Sequence, residues 1–316
     1  MRQFILKRIG ISLIVVFLIS IFSFSLVHML PGDPAVLALG SEVTQQQIDE
    51  FREEFYLNEP VVKQYTIWIK NALRGDFGIS IAYKRPVIDC LAERLPRTVA
   101  IGLPSLIISS IFGILIGIVS AVNRGKAVDK FLTFLVTLGI GTPSFWLGMI
   151  GILVFGLKLG LLPLSGFVSP GQNFSQYVYY SIMPITVLSF TLLASVARQT
   201  RSNMLEVINQ DYIRTARANG LAERSVVYRH ALKNSLIPVI TTIGMQVRVI
   251  VGGSLIVEQL FNIAGIGTLL VSAVSARDYM VIQGCVFLIS LFTVACDFVV
   301  DVLYGLVDPR IRKSWR

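Results

Sequence analysis

The sequence predicts an all-α polytopic membrane protein with six transmembrane helices and both termini on the cytoplasmic side. Three observations carry this. Hydrophobic residues make up 54% of the chain, charged residues 15%, and the mean hydropathy is +0.70; a soluble domain carries about a quarter charged residues. Apolar runs lie near 9–30, 99–122, 131–157, 181–199, 236–257 and 281–304, and each reaches the ~17–20 residues that cross a hydrocarbon core. Lys and Arg gather in alternate short loops, the usual mark of the cytoplasmic side. The runs are continuous rather than alternating, which excludes a β-barrel. The net charge of +9 sits in particular loops and not on one folded face, so no nucleic-acid partner is expected.

Span 1 begins with Arg2, Lys7 and Arg8. Its apolar run is longer than the core of a secretory signal, and no small-residue cleavage site follows, so it reads as a retained helix. Segment 31–97 carries ten acids and eight bases, a near-balance suited to a long translocated segment. Within it, Thr44 and Gln47 form a capping-box pattern, followed by Ile48, Phe51 and Phe55 on one helical face. Pro60 reads as a first-turn proline for a second helix, with Val61, Tyr65, Trp68 and Ala72 on one face. A smaller external cap is expected over 259–280.

Arg124, Lys126 and Lys130 separate spans 2 and 3, whereas only Lys158 lies between spans 3 and 4 and only Arg277 between spans 5 and 6. Pro104, Gly113, Gly117, Pro143, Gly148, Pro184 and Gly244 fall inside spans, where neighbouring helices can supply packing and polar partners.

Seven Lys/Arg lie from Arg198 to Lys233, against Glu206, Asp211 and Glu223. The spacing in this stretch predicts two short helices broken at Gly220, with Asp211 as N-cap of the first and Gly220 as its C′ stop. Such a helix-stop-helix suits docking to a soluble partner; an ordinary positive-inside loop explains the charge but not the break.

Two ionisable residues inside spans need partners. Arg248 lies 12 residues past Leu236, hence about 18 Å into the bilayer, where Arg costs at least ~2.5–3.5 kcal/mol. Asp297 is seven residues from Tyr304, hence about 10 Å from the inner surface. The two form either an intramembrane structural pair, despite an offset of about 8 Å, or Arg248 pairs with another subunit, or it faces a translocated carboxylate. Asp301 is expected to be solvated or paired with the basic tail, and Glu258 merely closes span 5 on the outer side.

No catalytic or metal site is expected. Cys90, Cys285 and Cys296 make no C-x-x-C, and His28 and His230 are too few to build a metal centre. The chain lacks G-x-x-x-x-G-K-[ST], so ATP is not expected to bind here through a P-loop. H-E-x-x-H and G-x-S-x-G are missing as well.

The run Arg214-Thr215-Ala216-Arg217-Ala218-Asn219-Gly220 resembles the EAA loop of ABC-importer permeases. Ala216, Gly220 and Leu232 match that pattern. Arg214 stands at the usual Glu, Thr215 at the first Ala and Lys233 at the Pro position. The Arg-Thr-Ala-Arg-Ala-x-Gly-Leu form, continued by Arg229-His230-Ala231-Leu232-Lys233-Asn234, is similar to the dipeptide/oligopeptide/nickel branch. So are Leu30-Pro31-Gly32-Asp33-Pro34, Gly75-Asp76-Phe77-Gly78, Arg94-Leu95-Pro96-Arg97-Thr98, Pro143-Ser144-Phe145-Trp146-Leu147-Gly148 and the ending Asp308-Pro309-Arg310-Ile311-Arg312.

The resemblance implies a type I ABC importer permease in the plasma (inner) membrane of a bacterium or archaeon. It implies residues 1–30 as N-terminus and first span, 31–97 as an external helical segment, and 98–316 as the core with a coupling loop over 200–235. That loop, with Asp211, Arg214, Thr215, Ala216, Arg217, Gly220, His230 and Leu232, would seat in one of two ATPase subunits that hold ATP and Mg. A second permease would complete the path, and a solute-binding protein would deliver ligand to 31–97 and 259–280. Dipeptides, oligopeptides, nickel, metal chelates and glutathione-like peptides all remain open as cargo. An ion-gradient-driven transporter fits less well, since six spans show no inverted repeat; an intramembrane protease would need a matched catalytic pair at one depth, which is not seen.

Overall fold

The computed structural model of the protein describes residues 2–29, 35–36, 44–54 and 56–307. The motifs at 30–34 and 308–312, residue Phe55 and the side chain of His28 lie outside the described part. The described residues are almost entirely helical, with one isolated β-bridge between Ile79 and Pro86. Four helices are long and apolar enough to cross a membrane, and two bent pairs raise the number to as many as six. The chain divides into two compact units, residues 9–98 with 264–295, and residues 1–8 with 99–263 and 296–316.

The first unit takes in most of α1 (Arg2–Met29), then α2 (Gln45–Glu54), α3 (Val61–Ala72), the start of α4 (Val87–Val122), α11 (Ile266–Ser275) and the start of α12 (Tyr279–Val307). The capping box forms as expected: Thr44 N donates to Gln47 Oε1 at 3.0 Å, and Gln47 N to Thr44 Oγ1 at 3.4 Å. Pro60 is the N-cap of α3, one residue earlier than the sequence suggests. Tyr65, Trp68 and Ala72 turn inward, whereas Val61 is exposed. Trp68 meets Phe287 edge-on at 5.6 Å and Tyr65 meets Phe24 at 5.5 Å. Asp278 is buried and accepts from Ser80 Oγ at 2.6 Å and Ala82 N at 3.0 Å. Thr98 Oγ1 accepts from Ile266 N at 2.9 Å, so the last residue of the 94–98 motif anchors α11.

The second unit holds the rest of α4, α5 (Ala127–Gly141), α6 (Ser144–Gly151, continued by π-helical Ile152–Lys158), α7 (Phe174–Ile208), α8 (Asp211–Ala218), α9 (Glu223–Ser225), a π-helical stretch Val226–Ala231, and α10 (Leu232–Leu260). Small residues bring α4 and α5 against α7. A Cβ at Gly113 would stand 2.7 Å from Val196 Cβ, and one at Gly139 2.8 Å from Ala194 Cβ.

Three expectations are corrected here. The run 131–157 is not one straight span: α5 and α6 are bent by 103° at Thr142-Pro143. Proline pushes the residue before it out of the helical region, and Thr142 is extended at φ −97°, ψ 123°. The 201–238 stretch is not a loop with two free short helices. The helix of span 4 runs on to Ile208, and the second short helix is the beginning of the helix that becomes span 5. Only α8 stands alone. Glu258 is not a plain surface residue at the end of its span: it is 1% exposed.

Candidate coupling helix and intramembrane ion pair

α8 is short and amphipathic. Ile213 and Ala216 are buried with Ile118, Met204, Val226 and Ala231. Asp211, Arg214, Thr215 and Ala218, spaced at helical intervals, form the exposed face. Gln210 is the N-cap and Asp211 the first helical residue, so the expected N-cap is off by one. An acid in the first turn is still favoured by the helix dipole. Asp211 and Arg214 approach at 3.5 Å but are 97% and 72% exposed, so the pair contributes little.

Gly220 closes α8 in the left-handed region at φ +77°. Gly220 N donates to Arg217 O at 2.9 Å and Leu221 N to Ala216 O at 3.4 Å, the two bonds of a Schellman motif. A Cβ at 220 would meet nothing within 4 Å. Within the chain, backbone conformation and not close approach is therefore what demands glycine.

Arg217 braces this turn. Its Nη2 donates to Glu223 Oε1 at 2.7 Å and its Nε to Glu223 Oε2 at 3.1 Å. The guanidinium holds the Glu223 carboxyl below its ordinary range, and the carboxylate raises Arg217 in turn. Tyr212 accepts from Asn234 Nδ2 at 2.8 Å, fixing the other edge of α8 to α10. His230 and Leu232 are half-buried behind this assembly. Of the eight residues singled out from sequence, Asp211, Arg214 and Thr215 face outward, Arg217 and Gly220 shape the turn, Ala216 and Leu232 pack in the cluster beneath it, and His230 is half-buried.

Arg248 and Asp297 are brought together: Nε donates to Oδ1 at 3.1 Å and Nη2 to Oδ2 at 2.5 Å. The offset of about 8 Å inferred from helix counting does not survive. The counts began at the visible ends of apolar runs, whereas helix continues from 223 and reaches Val307. Arg248 is 57% exposed and Asp297 33%. One turn along α12, Asp301 pairs with Arg8 at 2.7 Å; the basic tail lies outside the described residues.

A third network was not foreseen. Asp129 is buried and accepts five hydrogen bonds: from Arg201 Nε at 2.8 Å and Nη2 at 2.9 Å, Ser120 Oγ at 2.5 Å, Gly125 N at 2.9 Å and Thr133 Oγ1 at 3.3 Å. The signal for it was an acid isolated among Arg124, Lys126 and Lys130.

Residues 113–313 match the family described as binding-protein-dependent transport system inner membrane component, and residues 1–102 match the N-terminal family of the same systems. The glutathione transport system permease protein GsiC of Escherichia coli (strain K12) is 40% identical over 312 residues, covering 99% of both chains. A chain of Brucella abortus (strain 2308) named as a peptide transport system permease is 38% identical over 312 residues, again 99% of both. An inward-facing MetNI methionine ABC transporter chain superposes with a TM-score of 0.57 at 17% identity, over 69% of this chain and 96% of that one. Full-length identity near 40%, two matching family descriptions and a shared fold place the chain among the binding-protein-dependent transport inner membrane components, as a permease subunit of an ABC importer.

Proposed function

We propose that this permease forms half of a translocation path for peptides, from dipeptides and oligopeptides to glutathione-like tripeptides, and that α8 is its contact with a separate ATPase. The observation that carries the second part is the division of α8 into a seated face of Ile213 and Ala216 and an outward face of Asp211, Arg214, Thr215 and Ala218. A helix fixed by packing on one side, by the Schellman turn at its end and by the Arg217–Glu223 brace is rigid enough to transmit movement of a docked partner.

ATP and Mg belong to two ATPase chains in this reading, and the permease is not itself an enzyme. A second, similar permease completes the path. A solute-binding protein docks on 31–97 and 259–280, with both termini and 201–235 in the cytoplasm. The names of the relatives, peptide and glutathione transport permeases, support a peptide cargo over nickel or a metal chelate.

The test is uptake by vesicles containing the whole complex and its solute-binding protein, with labelled dipeptide, oligopeptide, glutathione and nickel. ATP-dependent accumulation of a peptide is expected. Accumulation driven by an ion gradient without ATP would overturn the coupling assignment, and uptake of nickel alone the cargo assignment.

A further inference from the structure

We propose that the ends of α4, α5 and α7 beside the 123–126 turn form a site for the headgroup of an anionic phospholipid. A cavity of about 270 Å³ lies there, with Ser120, Thr133, Thr137, Arg198 and Arg201 in its walls. A wider groove of about 580 Å³ shares Thr133, Thr137 and Arg201 and adds Arg124, Asp129, Lys130 and Phe134.

The charge balance of this site is lopsided. Arg201 is held bidentate by Asp129, which neutralises it and fixes one wall. Arg124, Lys130 and Arg198 have no carboxylate within 4 Å among the described residues, and all three are exposed. Arg198 thus lines the cavity, and Arg124 and Lys130 the adjoining groove, as three uncompensated cations. Basic pockets between transmembrane helices at this level hold lipid headgroups through such pairing.

The apolar surroundings select a lipid over a soluble anion. Phe131 and Phe134 are 61% and 59% exposed, and Leu138, one turn beyond Phe134, is 46% exposed. A phosphate seated among the cations would lay its acyl chains along this face of α5, so one molecule satisfies both halves of the surface. Such a site requires only that the chain span a bilayer and is independent of its cargo.

The whole transporter complex, reconstituted in nanodiscs of mixed phosphatidylglycerol and phosphatidylcholine, is washed with detergent, and retained lipid is measured by mass spectrometry. The variant Arg124→Gln/Lys130→Gln/Arg198→Gln is expected to retain at least about tenfold less phosphatidylglycerol, at roughly fivefold per cation near a membrane surface. Phosphatidylcholine retention is expected to stay constant. A control with equal charge loss, Arg224→Gln/Arg229→Gln/Lys233→Gln, is expected to retain as much phosphatidylglycerol as the native complex. Should the triple variant fail to assemble, Arg198→Gln alone is expected to lose phosphatidylglycerol about fivefold. Unchanged retention in an assembled variant, or an equal loss in the control, overturns the site. Displacement of the lipid by excess soluble glycerol phosphate would make it a soluble-anion site and overturn the lipid assignment.

Discussion

Arg248 on α10 and Asp297 on α12 form a two-bond ion pair inside apolar helices, at 3.1 and 2.5 Å. Losing either charge strands the other. Breaking a fully buried pair costs about 3–5 kcal/mol, and less where the groups are accessible; with Arg248 57% exposed, about 1–2 kcal/mol is expected. Arg248→Met and Asp297→Asn should each lower the yield of assembled complex, and the double variant should recover part of it. If Arg248 instead meets substrate, Arg248→Met keeps the yield and lowers uptake only of cargo with a free carboxylate. Unchanged yield and uptake in all three variants would dispose of both roles.

Gly244 sets the spacing on which that pair depends. A Cβ there would stand 2.6 Å from Val300 Cγ1, four residues before Arg248 and three after Asp297. Gly244→Leu must push α10 off α12, and overpacking of this kind costs about 1–3 kcal/mol. The expected result is a lower melting temperature of the complex, with partial recovery on adding Val300→Ala. No recovery would mean that the contact with Val300 is not the limiting one.

Much of this was legible in the sequence because a bilayer imposes simple rules. Long continuous apolar runs point to the helical class, and Gly220 marks the end of α8. What failed was local or three-dimensional. Pro143 falls inside an apolar run, where a proline is tolerated, yet its effect on Thr142 breaks the helix. Helix continuing beyond the apolar runs hid the level match of Arg248 and Asp297. Asp129 was missed because its partner Arg201 is 72 positions away in sequence, and an acid in a basic loop carries no period. Glu258 lies at a span end, where sequence position says nothing about burial.

The Asp129 network predicts that geometry, not charge alone, matters at Arg201. Lysine cannot reproduce two parallel donors. Arg201→Lys is expected to destabilise the complex by about 1–2 kcal/mol. Asp129→Asn should cost more, about 2–4 kcal/mol, since it also leaves a cation unpaired. Thermal denaturation of the purified complex reads both, and equal stability of Arg201→Lys and the native protein would refute the bidentate argument.

The short-loop charge bias predicts residues 31–97 outside and 201–235 in the cytoplasm. In a background with Cys90, Cys285 and Cys296 replaced, Lys63→Cys and Arg224→Cys both present exposed thiols. A membrane-impermeant maleimide should label the first in intact cells and the second only after lysis. Labelling of both from one side would reject the topology.

Gly220 separates backbone strain from docking. Its φ of +77° disfavours a side chain by roughly 1–2 kcal/mol, except that Asn tolerates this region. The space outside its α-carbon is open, so Gly220→Trp projects an indole from the end of α8 toward the surface proposed to meet the ATPase. Gly220→Asn keeps the turn with a small side chain and is expected to leave uptake within about twofold of native, since asparagine is the accepted alternative at this helix-end position. Gly220→Trp is expected to insert and assemble, to keep ATP hydrolysis, and to lose uptake by at least about tenfold, the equivalent of 1.4 kcal/mol in coupling. The comparison of the two variants in vesicles decides the matter. Equal loss in both would assign the effect to the strained turn, and normal uptake by Gly220→Trp at normal expression would remove α8 from the coupling contact.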